Sequence, residues 1–408
     1  MPRIRRGTNA VLLALLLAAP AAPLPAATDR PLHSVGGPVA DLAPGRDLTL
    51  IVGGDNRPTG AGAPLPRVLG TILDEVALIR PDLVLWSGDT IYGYCEGRRQ
   101  LEGEYRRFLA LVDRARVPLV NAPGNHEIRG NQECPQPPDC DGPCAERLFT
   151  GHFGNLYGSL DLSDVHLIAL DTDRVGEEGK IGEEQVQWLR DDLEKNKDKR
   201  AIFVFSHSEF FSSPLIDPGA YKGHEPIANR DELHQLFRRY PVKAVFSGHE
   251  HLFWREKPED HDGIAYFVAG GSGAPLYAAP DRGGFSHYLI LRVTGSDVHV
   301  DVVEPGRLYV EKAVEKAVAG KGEARFWIVN SNDATIPVRG MDVTVPRALG
   351  RCGRLQATAE LKKRDGTPIP IEIGIARAVA GKKTCRLTLA APAVPAGTSV
   401  PVVIRRQR

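Results

Sequence analysis

Six oxygen and nitrogen donors stand just past short apolar runs: Asp55, Asp89, Asn125, His207, His249 and His251. All are hard or borderline ligands, and six exceed what one four-coordinate zinc takes. They suit two metal ions that share a carboxylate, and such a pair offers Lewis-acid chemistry. His249 and His251, two positions apart on a turn, can face different ions. Glycines precede Asp89, Asn125 and His249, where tight turns would aim each donor.

Donors scattered over nearly 200 residues need a scaffold that gathers them. Leu48–Val52, Leu83–Trp86, Val117–Val120, Val165–Leu170, Ala201–Phe205 and Ala244–Phe246 are continuous apolar runs, each followed by Asp, Asn or His. Runs of this kind are buried strands. Residues 66–80, 99–116, 183–195 and 230–239 carry helical spacing between them. Strand–helix alternation predicts an α/β domain with a largely parallel sheet, whose sites lie past the carboxyl ends of the strands. Residues 287–304 alternate around Gly295-Ser296-Asp297 and predict a closing β-hairpin. A helix is expected over 311–319 and a domain boundary near Gly320 to Gly322. From about 323 to 408, short strands and many prolines predict a small β-sandwich, with Cys352 and Cys385 as its one disulfide.

The 408 residues carry 51 basic and 51 acidic side chains, and 42% of the residues are hydrophobic. That balance excludes a disordered chain and a nucleic-acid binder held by bulk positive charge. Arg3, Arg5 and Arg6 precede the apolar run Val11–Ala19, and small residues and prolines follow. This reads as a signal peptide over 1–27, since the run falls short of the roughly 20 residues that a membrane span needs. Arg5-Arg6 also fits a twin-arginine signal, although adjacent arginines occur in ordinary ones. A periplasmic or secreted location is therefore expected. Three basic residues and no acid lie in 1–27, so the remainder has a net charge of −3.

In order, the chain carries Gly54-Asp55, Gly88-Asp89, Gly124-Asn125-His126-Glu127, Ser206-His207 and Gly248-His249-Glu250-His251. It thereby resembles the calcineurin-like metallophosphoesterase superfamily over about 45–305. The resemblance implies a four-layer α/β/β/α sandwich, here with a C-terminal all-β domain over 323–408. It also implies a two-metal phosphoric ester hydrolase in which an activated hydroxide attacks phosphorus. The family's first motif is usually D-x-H, but Asp55-Asn56-Arg57 lacks the His and leaves Arg57 free to face substrate. Gly88-Asp89-Thr90-Ile91-Tyr92 instead looks like the purple acid phosphatase branch, where the tyrosine replaces that ligand. By resemblance one ion takes Asp55, Asp89, Tyr92 and His251, the other takes Asp89, Asn125, His207 and His249, and Asp89 bridges. A phenolate favours a trivalent ion, so Fe(III) with a divalent partner (Fe, Zn or Mn) is expected. Asp171 matches no motif and reads as a structural strand-end residue.

The resemblance also gives His126 contact with phosphate or the leaving group; the plainer reading is a structural histidine bonded to Glu127 or Asp55. His224 stands where family members often have a substrate-facing histidine, and an exposed loop residue explains it equally well. His152, His166, His234 and His287 read as packed or surface residues. Cys95, Cys134, Cys140 and Cys144 lie in loops beside the metal motifs, the last three in the Pro-rich stretch from Asn131 to Cys144. Two disulfides in any of three pairings, or one structural zinc, would account for them, and export favours disulfides. The expected partner is a small phosphate ester. A phosphomonoesterase of acid phosphatase type leads; a phosphodiesterase on the same core and a catalytically silent surface-binding protein are the alternatives.

Overall fold

Leu50 and Val52 point to one side of the first strand and Ile51 to the other, and all three are fully buried. A strand covered on both faces reads as an unbroken apolar run. The structure, a computed structural model, describes residues 30–130, 139–216, 225–256, 258–311, 323–362 and 368–407. The signal peptide read over 1–27, Cys134, His224 and residues 312–319 of the expected helix lie outside the described residues.

Two sheets stack face to face. The first contains β1 (Leu48–Gly53), β2 (Leu83–Trp86) and β3 (Leu119–Asn121). The second contains β4 (Gly158–Leu162), β5 (Val165–Ala169), β6 (Ala201–Phe205), β7 (Val242–Ser247), β8 (Phe253–Arg255) and β9 (Ala265–Ala269). A hairpin of β10 (Tyr288–Thr294) and β11 (Asp297–Val303) completes the first, in the order β11-β10-β1-β2-β3. The second runs β4-β5-β6-β7-β9-β8. β1, β2 and β3 are parallel, as are β5, β6, β7 and β9; β10 and the edge strands β4 and β8 run antiparallel to their neighbours.

Val52 and Leu85 from the first sheet meet Phe203, Phe205 and Phe246 from the second in a core between the sheets. Ile51 and Val84 face outward onto α1 (Arg67–Ile79) and α2 (Arg98–Ala115). Three further helices are α3 (Asn125–Ile128), α4 (Gly142–Phe153) and α5 (Glu183–Lys195). α5 and α6 (Arg230–Phe237) cover the outer face of the second sheet through Leu189, Leu193, Leu233 and Phe237. This is the four-layer α/β/β/α arrangement. On α1, Leu69, Ile72, Leu73 and Val76 fall at helical spacing on the buried side. Each such burial contributes roughly 1.5–3 kcal/mol, so apolar packing fixes the layers and leaves the strand ends free to carry polar residues.

The C-terminal region is all β. Its first sheet contains β12 (Leu308–Glu311), β13 (Glu323–Asn330), β15 (Leu355–Lys362), β16 (Pro368–Ile371) and β19 (Thr398–Arg406). Its second contains β14 (Ile336–Pro346), β17 (Gly374–Ala380) and β18 (Thr384–Val394). Cys352 and Cys385 are joined by a disulfide. β14 docks on α1 so closely that a Cβ on Gly340 would sit 2.2 Å from the Ala77 carbonyl oxygen. Among the described residues no helix is long and apolar enough to cross a membrane.

Candidate metal centre

The carboxyl ends of β1, β2, β3, β6 and β7 meet at one edge of the sandwich and deliver Asp55, Asp89, Asn125, His207, His249 and His251 there, all buried. The chain turns more sharply than the sequence suggests. Asp55 (φ 58), Asp89 (φ 53) and His249 (φ 66) themselves occupy the left-handed region, which costs a residue with a Cβ of order 1–3 kcal/mol. Of the three glycines expected to make the turns, Gly88 alone has a positive φ, of 84. Gly124 serves closeness instead: a Cβ there would lie 2.4 Å from Asp89 Oδ1.

Ligand atoms of Asp55, Asp89 and His251 lie within 4.8 Å of one another. A second group converges on His207 Nε2. Asn125 Oδ1 is 2.8 Å from it, His249 Nδ1 3.1 Å and Asp89 Oδ1 3.3 Å. Backbone carbonyls set the ring orientations: His207 Nδ1 is 2.7 Å from Ser87 O, and His251 Nδ1 is 2.6 Å from Pro275 O. A proton on each Nδ1 leaves each Nε2 as a lone pair aimed into the cluster, the usual support for a metal-bound imidazole. Asn125 donates from Nδ2 to Tyr94 Oη at 3.0 Å, which turns Oδ1 toward His207.

The donor set fits cations on electrostatic grounds. Asp55, Asp89 and Glu127 are buried acids, and Arg57 Nε, 3.7 Å from Asp89 Oδ2, is the one nearby guanidinium paired to them among the described residues. Burial, reinforced by Asp55 and Glu127, pushes the Asp89 carboxyl up to about 8 despite His207 and Arg57. Against the opposing effect of burial, Asp89, Asp55 and Asp173 raise His207 to about 9. Both shifts report one deficit: the site holds more acceptors than its own positive charge can satisfy. Two cations among these donors would remove it.

Glu127 fixes the loop that carries Asp89. Its Oε1 accepts from Thr90 N at 2.6 Å, Thr90 Oγ1 at 2.8 Å and Ile91 N at 3.3 Å. Its Oε2 accepts from Asp89 N and Gly124 N, each at 2.8 Å. His126 therefore does not bond Glu127. Its Nδ1 contacts the Tyr92 carbonyl, its Nε2 lies 3.6 Å from Asp89 Oδ2, and burial lowers its pKa well below the ordinary value. The Tyr92 ring centroid is 6.0 Å from that of His126, and the Tyr92 N–H donates to Glu104 at 2.7 Å. Asp171 accepts from Asp173 N at 2.9 Å, a turn-forming contact.

Two tyrosines at the site escaped the sequence reading. Tyr94 packs edge-on to His126 at 4.4 Å, and Tyr277 stacks on His251 at 4.0 Å with its Oη 3.3 Å from Arg57. The signal for Tyr277 was available: Gly270-Gly271-Ser272-Gly273 follows β9, another strand end at the same edge. Cys140 and Cys144 are joined and Cys95 is disulfide-bonded, which replaces the structural-zinc alternative for these thiols. His166 lies between Asp161 and Asp192, His234 between Tyr266 and Asp262, and His152 against Tyr105. His287 contacts the Phe285 carbonyl.

Two facing sheets thus gather oxygen and nitrogen donors at their shared carboxyl edge. Residues 62–253 match the model of the calcineurin-like phosphoesterase family, and the chain carries that domain. Among curated relatives, the serine/threonine-protein phosphatase CPPED1 of Homo sapiens is 28% identical over 181 residues, 42% of this chain and 54% of the relative. The manganese-dependent ADP-ribose/CDP-alcohol diphosphatase of Oryza sativa subsp. japonica is 29% identical over 141 residues, 33% of this chain and 40% of the relative. The chain thus spans about half the length of the curated relatives it matches. The solved structure of a purple acid phosphatase from yellow lupin (Lupinus luteus) seeds shares the fold, with a TM-score of 0.51 and 19% identity. That match covers 64% of this chain and 52% of the other.

Proposed function

We propose that this chain is an exported, metal-dependent phosphoric ester hydrolase that acts on small phosphate monoesters in the manner of acid phosphatases. The observation that carries this reading is the convergence of Asn125, His249 and Asp89 on His207 Nε2, beside the Asp55, Asp89 and His251 group. Asp55, Asp89, Tyr92 and His251 would hold one ion; Asn125, His207 and His249 would hold the second, with Asp89 shared. Bound there, the ions would supply charge for the phosphoryl oxygens and a lowered pKa for water. The Tyr92 phenol supports Fe(III) in the first position, with Fe, Zn or Mn as its divalent partner.

The remaining roles belong to this chain's own side chains. Arg57, braced by Tyr277, offers a guanidinium to an equatorial phosphate oxygen. Burial holds the His126 pKa well below its ordinary value, and its Nε2, 3.6 Å from Asp89 Oδ2, supports a bond to the phosphate or the leaving oxygen. His224 remains a candidate for substrate contact on sequence grounds alone. Export is supported by the charged head and apolar run in 1–27 and by the absence of free cysteines among the described residues.

Turnover of p-nitrophenyl phosphate against bis(p-nitrophenyl) phosphate tests the reading. A monoesterase cleaves the first at least about tenfold faster in kcat/KM, a difference of about 1.4 kcal/mol in transition-state binding. Preference for the diester would make the chain a phosphodiesterase on the same core, and inertness toward both would favour a binding role.

A further inference from the structure

A second charged cleft opens at the far side of the first sheet. Its volume is about 580 Å³ and its walls come from two parts of the chain. Arg80 and Arg116, just past the ends of α1 and α2, form one wall; Arg377 on β17 and Arg386 on β18 form the other. Topology separates it from the metal centre. Arg80 leads into the start of β2 at Leu83 and Arg116 into the start of β3 at Leu119, whereas Asp89 and Asn125 follow the ends of those strands.

None of these four guanidiniums makes a side-chain hydrogen bond or ion pair with a described residue. Arg114 at the same cleft is paired, 3.1 Å from Asp74. The cleft's carboxylates are Asp113 and Asp342, and Asp342 already accepts from Thr388 Oγ1 at 2.6 Å. Unpaired positive charge therefore exceeds negative in a chain whose overall balance is neutral. The walls are held in place: β14 packs on α1 at Gly340, and Arg339 reaches Thr49 Oγ1 at 3.1 Å.

We propose that this cleft binds a small multivalent phosphate anion, of the size and charge of tripolyphosphate, independently of the metal centre. Guanidinium forks match phosphate oxygens in geometry, and an anion with several oxygens can engage both walls at once. The volume falls in the roughly 300–1,000 Å³ range of small-ligand sites.

Calorimetric titration of the full chain with tripolyphosphate tests this, in an Asp89→Asn background that disables the metal centre as a competing site. Saturable binding is expected, weakened about tenfold or more by Arg377→Ala with Arg386→Ala, by loss of charge-assisted contacts. Arg116→Ala on the opposite wall should also weaken it, and Arg377→Lys with Arg386→Lys should keep part of the affinity that the alanine changes remove. In the otherwise native chain, the 377 and 386 changes should leave turnover of p-nitrophenyl phosphate and the thermal midpoint unchanged. No binding to the parent, or binding indifferent to changes on both walls, would overturn the proposal.

Discussion

His207 Nε2 and Asn125 Oδ1 face each other at 2.8 Å although 82 positions separate them in the chain. With its proton on Nδ1, held by the Ser87 carbonyl, the imidazole presents a lone pair to an amide oxygen that is itself an acceptor. Two acceptors so placed call for a cation between them or an added proton. His207→Ala should therefore lower bound metal by about one ion per chain and reduce kcat by 100-fold or more, roughly the loss of one coordinating position. Elemental analysis beside the turnover number checks this; full metal content in the variant would contradict it.

Glu127 gives a prediction about stability. Its carboxylate accepts five hydrogen bonds from Gly124, Asp89, Thr90 and Ile91. Glutamine at this position would turn an NH₂ group toward N–H donors. Glu127→Gln should thus destabilise the fold by about 3 kcal/mol, nearly as much as Glu127→Ala, because buried donors lose a charged acceptor. Urea midpoints of the two variants decide: a glutamine variant as stable as the parent would sink the argument.

Glu75 on α1 ties the catalytic layers to the C-terminal strands. It accepts from Gly306 N at 2.8 Å, Leu308 N at 3.0 Å and Tyr288 Oη at 2.9 Å. Burial raises its carboxyl above the ordinary value of 4.5, against the pull of these donors. A raised acid holds its proton more tightly folded than unfolded. Its contribution is therefore complete below the ordinary value and fades as pH climbs through the raised one. Glu75→Gln keeps an oxygen for the two backbone donors and should flatten the loss of stability as pH climbs from the ordinary carboxyl value of 4.5 through the raised one. Equal slopes for parent and variant in denaturant titrations would show that Glu75 does not titrate in that window.

The disulfide Cys352–Cys385 closes a sequence separation of 33 within the C-terminal sandwich. Chain entropy assigns it about 3–4 kcal/mol. Replacing both cysteines by serine should lower the unfolding midpoint and leave the turnover of p-nitrophenyl phosphate below that midpoint intact. A variant with an unchanged midpoint would mean that packing of Leu387, Leu389 and Val345 suffices without the bridge.

Much of this arrangement is legible in the chain itself, for physical reasons. Strands such as Ala201–Phe205 lie between two cores, so both faces are apolar and the run is unmistakable. Polarity can return only at the strand ends, which is where Asp55, Asp89 and His207 stand. Turn chemistry was less legible. Glycine marks a place where a side chain does not fit, but not whether the reason is a positive φ, as at Gly88, or proximity, as at Gly124. Tyr94 was hidden because its role depends on a contact across the chain, to Asn125, which no local spacing encodes. The same holds for the two-walled arginine cleft, whose halves lie nearly 300 positions apart.

The central claim is that two ions at the strand ends drive phosphate ester hydrolysis. The most direct measurement is turnover of p-nitrophenyl phosphate by the purified full chain, stripped by chelator and then titrated with metal. The account predicts that stripping abolishes turnover and that activity returns in proportion to added metal, levelling near two ions per chain, about the capacity of the donor set. Undiminished turnover in the stripped chain, or recovery that is the same in Asp89→Asn, would contradict it.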